Sequence, residues 1–125
     1  MEEMKKRIVI VEDERDILQL LNLILVRAGY EVHACDNGRN ALPVIKKVRP
    51  HLVILDLMLP GMDGRAIVEE MSKDEELYAT PVMITSALEQ AGHMFMGNPV
   101  VKDFCYKPFR TSVLLQKVKT IMGDK

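Results

Sequence analysis

Four apolar runs in this chain end in groups able to do chemistry. Ile8-Val9-Ile10-Val11 is followed by Glu12-Asp13-Glu14, and Val53-Ile54-Leu55 by Asp56. The run from Pro81 closes on Thr85-Ser86, and the run from Val100 closes on Lys107, with Pro108 and Phe109 behind it. Clustered carboxylates repel one another and hold their protons tightly unless a cation stands among them. A donor set made only of oxygens suits a hard ion such as Mg²⁺, which takes one or two carboxylates and completes its shell with water and phosphate oxygens. An Asp carboxylate is a nucleophile toward phosphoryl groups. Phosphoryl transfer asks chiefly for positioning and for positive charge on the transferred oxygens. Lys107 and a bound cation would supply that charge; Ser86 and backbone N–H groups would supply hydrogen bonds. Singly, each residue has an ordinary explanation. Glu12 to Glu14 favour the positive end of a following helix, Asp56 and Ser86 suit turns and caps, and Lys107 suits solvent. They gain a joint meaning only if the fold brings them to one place.

The elements that would do so alternate along the chain. Strands are predicted over 6–11, 31–35, 51–56, 81–86 and 100–106. Between them, Ile17, Leu20, Leu21, Ile24, Leu25 and Ala28 recur at helical spacing, with Gly29 as a stop. A second helix runs to about Val48; Pro43 is tolerated only in a first turn, so this helix starts late, near Asn40, or is kinked. Asp63 is the expected N-cap of a helix over 64–73 that buries Ile67, Val68 and Met71, and Thr111 the expected cap of a last helix through Met122. Strands alternating with helices imply a parallel sheet covered on both faces, with right-handed crossovers. In such a doubly wound α/β fold, of strand order 2-1-3-4-5, ligands sit at the carboxyl ends of the central strands. That edge receives Glu12, Asp13, Asp56, Ser86 and Lys107.

Bulk properties narrow the class. A length of 125 residues fits one domain spanning 1–125, and 48% hydrophobic residues suffice for a real core. A net charge of −1 gives no basic field that would draw the chain to nucleic acid or an anionic membrane. No apolar stretch reaches the ~20 residues of a membrane helix, and no signal peptide is visible. Cys35 and Cys105 lack metal or redox spacing and read as reduced core thiols of a cytoplasmic protein. They should lie at opposite edges of the sheet.

Four segments carry a family resemblance across nearly the whole chain: Val11-Glu12-Asp13; Leu55-Asp56, then Leu59-Pro60-Gly61-Met62-Asp63-Gly64; Pro81 through Ser86-Ala87; and Lys107-Pro108-Phe109. In this order and spacing the chain resembles a response-regulator receiver domain of two-component signalling, a flavodoxin-like fold. The resemblance implies that Asp56 accepts a phosphoryl group. It implies that Glu12 and Asp13 bind Mg²⁺ or another divalent cation with Asp56 and the Met58 backbone carbonyl. Ser86 would be the switch hydroxyl, in preference to its neighbour Thr85, and Lys107 would pair with the phosphate. The Lys107–Pro108 bond becomes a candidate cis peptide. The implied partners are a sensor histidine kinase or phosphotransfer protein upstream, and downstream an effector protein or an output domain outside this sequence. If the chain is complete, it acts by docking. Beyond catalysing its own phosphorylation and dephosphorylation, it would not be an enzyme.

Two places depart from the family pattern. The aromatic switch position, three residues before the lysine, holds Phe104, which can rotate but has no hydroxyl; otherwise it is a core aromatic. The segment from Leu88 to Asn98 is punctuated by Gly92 and Gly97, with Pro99 next, and predicts a short or irregular helix four. Met58 and Leu88, two residues after Asp56 and Ser86, are apolar and cannot position a water, which predicts slow self-dephosphorylation. Three rival readings differ in identifiable residues. A phosphohydrolase using Asp56 as nucleophile would want a second Asp where Met58 stands. A nucleotide or flavin module would want a Gly-rich loop where Glu12-Asp13-Glu14 stands. A pseudo-receiver scaffold would share the fold without being phosphorylated.

Overall fold

The computed structural model describes residues 4–59, 61–88, 92, 95 and 97–124. Five strands form one parallel sheet: β1 (Arg7–Val11), β2 (Glu31–Cys35), β3 (Leu52–Asp56), β4 (Val82–Ser86) and β5 (Val101–Tyr106), in the order β2-β1-β3-β4-β5. The order is the expected one, 2-1-3-4-5. Four helices are described, α1 (Arg15–Arg27), α2 (Ala41–Val48), α3 (Gly64–Lys73) and α4 (Thr111–Met122). The expected fourth helix of the family pattern, between β4 and β5, falls largely outside the described residues.

β3 lies in the middle of the sheet, and all five of its residues are buried. Successive side chains point to opposite faces, which divides the core in two. Val53 and Leu55 pack with Ala41 and Ile45 of α2 and Ile67, Val68 and Met71 of α3. Leu52 and Ile54 pack with Leu21 and Leu25 of α1 and Leu114 and Val118 of α4. Each such side chain, taken from water into a close-packed interior, stabilises the fold by roughly 1.5–3 kcal/mol. The strands are thereby held in register, and their carboxyl ends are aligned.

Several helix ends follow local chemistry, and others do not. α1 stops at Gly29, whose φ of +99° lies in the left-handed region that glycine adopts without steric cost. α2 begins at Ala41, so Pro43 falls in its first turn, where its missing N–H is not needed. Asp63 caps α3 by accepting the Arg65 N–H at 2.9 Å. Thr111 does not cap α4. It is the first helical residue, and Arg110 holds the cap position in extended backbone with no side-chain bond. Cys35 and Cys105 are free and buried, one on each outer strand and on opposite faces of the sheet.

Candidate functional site

Register carries the reactive groups to one edge. Val11 is opposite Leu55, and Asp56 is opposite Thr85, so Glu12 and Asp56 emerge side by side one residue beyond the paired core. The β5 end is drawn to the β4 end by the Lys107 N–H, which donates to the Ser86 carbonyl at 2.7 Å. The Lys107–Pro108 peptide is cis.

The side chains meet there. Lys107 Nζ donates to Glu12 Oε1 at 2.6 Å and to Asp56 Oδ2 at 3.1 Å. Asp56 Oδ1 accepts the Met58 N–H at 3.1 Å, and Glu12 Oε2 accepts the Glu14 N–H at 3.2 Å. Glu12, Asp13 and Asp56 each offer a carboxylate oxygen, and these oxygens lie within 4.8 Å of one another. Glu12 is only 1% exposed and Asp56 5%, whereas Asp13 faces solvent. The acidic doublet is therefore split between an inner and an outer member.

Electrostatics at this edge are unbalanced. Two buried carboxylates share one ammonium. Burial, reinforced by the hydrogen bond and charge of Asp56, pushes the Glu12 carboxyl up to about 7, against the pull of Lys107. Burial also works against the Lys107 ammonium, but its hydrogen bonds to Glu12 and Asp56 outweigh that and raise its pKa. A centre that retains a proton on a carboxyl near neutrality is short of positive charge. Three oxygen donors at this separation, with no sulfur or imidazole among them, fit a hard divalent cation.

Ser86 is buried beside this cluster, and its Oγ accepts the Leu88 N–H at 2.9 Å. Thr85 is buried too, but alternation turns its side chain to the other face; its carbonyl accepts the Leu57 N–H at 3.0 Å. Phe104 stands within an aromatic row. Its ring centroid is 6.2 Å from that of Phe95 and 6.4 Å from that of Tyr106, the latter pair nearly parallel at 11°. Tyr106, half-exposed on the same strand face as Phe104, has no forerunner in the sequence reading.

Above the carboxylates opens a cleft of about 630 Å³ lined by Asp13, Met58, Gly61, Asp63, Arg65 and Leu88, with Leu57 and Leu59. Met58 is 65% exposed and Leu88 41% exposed, so the rim is apolar and bare. Gly61 takes a left-handed φ of +89° in the loop after β3; Pro60 lies outside the described residues. Gly64 is fixed against the end of β3: a Cβ there would stand 2.9 Å from the carbonyl oxygens of both Asp56 and Leu57. Only glycine lets α3 start so close to the carboxylate's own backbone. Arg65 was not among the residues singled out from sequence. The signal available was a cation in the first turn of a helix, where the helix dipole disfavours it.

Comparisons with known proteins bear on the family and the fold. The family model described as "Response regulator receiver domain" matches residues 8–119. The probable transcriptional regulators ycf27 of Pyropia yezoensis and Porphyra purpurea are each 32% identical over 123 residues, which is 98% of this chain but 49% of theirs. The chain thus spans about half the length of the curated relatives it matches. Among solved structures, the chemotaxis response regulator CheY4 of Vibrio cholerae superposes with a TM-score of 0.86 at 26% identity, covering 94% of this chain and 99% of that one. The signal receiver domain of a signal transduction histidine kinase from Syntrophus aciditrophicus gives 0.85 at 30% identity, covering 94% and 90%.

Proposed function

The chain belongs to the response regulator receiver domain family, and from that premise we propose that Asp56 accepts a phosphoryl group in a reaction that depends on a divalent cation, Mg²⁺ by its chemistry. The observation that carries this reading is the meeting of Asp56, Glu12 and Lys107 within 3.1 Å, with Asp13 close enough to share an ion.

The roles follow from the groups' positions. Asp56 presents a carboxylate oxygen to the phosphorus of a donor. As that O–P bond forms, the donor's bond to phosphorus breaks and its electron pair leaves with the donor group. Lys107 is ionised over the whole physiological range and stands where the new phosphoryl oxygens would come, so it would turn from Glu12 toward them. The Ser86 hydroxyl is free to donate while its oxygen accepts the Leu88 N–H. Glu12, Asp13, Asp56 and the Met58 carbonyl would hold the cation, which when bound neutralises charge on the transferred oxygens.

The donor would be a sensor histidine kinase or a phosphotransfer protein, and the output a partner protein or a further domain. The name of the ycf27 relatives, which are about twice as long, supports a link to transcription. Among the described residues no helix is long and apolar enough to cross a membrane; family membership is what supports a cytoplasmic site of action.

Intact-mass analysis after incubation with Mg²⁺ and acetyl phosphate tests the proposal. The expected result is a gain of one phosphoryl group that is lost in Asp56→Ala and suppressed by chelation. No gain with acetyl phosphate or with phosphorylated kinases would return the chain to the scaffold reading.

A further inference from the structure

Arg65 is the second residue of α3, is exposed, and lines the cleft beside Asp13, Met58 and Leu88. Its placement goes against local electrostatics. The exposed N–H groups of a helix start carry positive partial charge and favour anions, not a guanidinium. Asp13 and Asp63 line the same cleft, yet among the described residues no carboxylate lies within ion-pair distance of Arg65. The adjacent acid, Asp63, takes the Arg65 backbone N–H. A residue that breaks a local rule without a compensating contact is a candidate for function.

The position is also fixed. Gly64 sits against the carbonyl oxygens of Asp56 and Leu57, and its N–H donates to the Leu57 carbonyl at 3.2 Å. Arg65 is therefore anchored one residue from direct main-chain contact with the phosphoacceptor itself. Charge gives the reason for a second cation. Glu12, Asp13 and Asp56 outnumber Lys107, and Lys107 is held inside by Glu12 and Asp56. A phosphodonor approaching from solvent carries further negative charge into this field and meets the cleft mouth first.

We infer that Arg65 is a positioning residue for the phosphodonor, its guanidinium binding the outer oxygens of an anionic phosphoryl group as the group enters the cleft. The inference rests on the reading of Asp56 as phosphoacceptor. A planar guanidinium presents paired N–H donors that match two phosphoryl oxygens at once, which lysine does not do. During transfer the donor's bond to phosphorus breaks, its electron pair leaving with the donor group, and the Asp56 O–P bond forms.

The test is the rate of phosphorylation by acetyl phosphate with Mg²⁺, followed by intact mass over a range of acetyl phosphate concentrations. Wild type, Arg65→Ala, Arg65→Leu and Arg65→Lys are compared. Removing one charge-assisted contact at an exposed site should slow the reaction about five- to tenfold at low donor concentration. The loss should appear in the half-saturating concentration more than in the maximal rate, and Arg65→Lys should recover part of it. Raising the ionic strength to about 1 M, where the screening length falls to ~3 Å, should shrink the gap between wild type and Arg65→Ala. Equal rates in wild type and Arg65→Ala would overturn the inference and leave the Asp56 reading standing. Arg65→Lys as slow as Arg65→Ala, with no salt dependence, would also overturn it and assign the residue a structural part. Failure of wild-type protein to gain a phosphoryl group from acetyl phosphate and from phosphorylated kinases alike would remove both readings together.

Discussion

At the scale of single residues, the proposed metal site makes Glu12 a point where protonation, metal binding and stability should be coupled. Its carboxyl is raised from an ordinary value of 4.5 to about 7, first by burial and then by Asp56. A raised folded-state value means that its stabilising contribution is fully present below about pH 4.5 and is lost as pH climbs through about 7. Metal-free protein should therefore lose stability over that interval, and Mg²⁺ should restore it, because an ion takes over from the proton. Mg²⁺ binding should accordingly release about half a proton at pH 7 and less above pH 8. Calorimetric titration in buffers of different ionisation enthalpy reads this directly; a binding heat independent of buffer would sink it. Lys107→Met removes the shared counter-charge and leaves two buried carboxylates facing each other. The expected cost without metal at pH 7 is about 1–3 kcal/mol by denaturant unfolding. Part of it should be recovered when Glu12→Gln is added. The types and order of Glu12, Asp13, Asp56, Ser86 and Lys107 were legible in the sequence, because each follows an apolar run. That Glu12 rather than Asp13 is the inner member was not legible, since adjacent acids look alike until strand register turns one inward. Arg65 escaped notice because its meaning depends on where Gly64 puts it.

At the scale of elements, the site depends on how close two loops come to β3. Gly64 allows α3 to start against the carbonyls of Asp56 and Leu57, and Gly38 allows the turn before α2 to press on the Met62 backbone. Gly64→Ala forces α3 away from Asp56, the proposed phosphoacceptor, with an expected cost of about 1–3 kcal/mol and weaker Mg²⁺ binding. Asp63→Ala loses only the cap, about 0.5–2 kcal/mol, and leaves the approach intact. Comparing the two by chemical denaturation and Mg²⁺ titration separates the close approach from helix capping. Equal losses of Mg²⁺ affinity in both would contradict the assignment. Element types and most boundaries could be read from apolar periodicity and from glycine stops. Caps were harder. Asp63 is a cap and Thr111 is not, because a cap needs extended backbone ahead of the first turn, and the chain adopts that at Arg110. Gly38 and Gly64 read only as turn residues, since the backbone each one meets is about two dozen residues away or across a strand end.

At the scale of the molecule, the layered α/β order followed from strand–helix alternation, which leaves few ways to cover a parallel sheet on both faces. How the chain closes on itself did not follow. Lys6 Nζ donates to the Met122 carbonyl at 2.7 Å and to Asp124 Oδ1 at 2.8 Å, while the Tyr30 hydroxyl donates to Asp124 Oδ2 at 2.7 Å. One carboxylate beyond α4 thus ties together the segment leading into β1 and the one leading into β2, on the side of the sheet away from the carboxylate cluster. Contacts between residues more than ninety positions apart leave no local pattern to read. The hydrogen bonds from Lys6 and Tyr30 hold the Asp124 carboxyl below its ordinary value. A lowered acid contributes stability that is present above its unfolded value, near 3.8, and is lost as pH falls through the still lower folded one. Asp124→Asn keeps the shape and removes the charge. Its thermal midpoint should lie below that of wild type at pH 7, and the gap should narrow toward pH 3. Because Lys6 and Asp124 are partly exposed, the gap should also narrow with salt. Unaltered phosphorylation of Asp56 in this variant would show that the closure serves the fold, with the chemistry confined to the opposite edge; a gap unchanged from pH 7 to pH 3 would mean that Asp124 does not act through its charge.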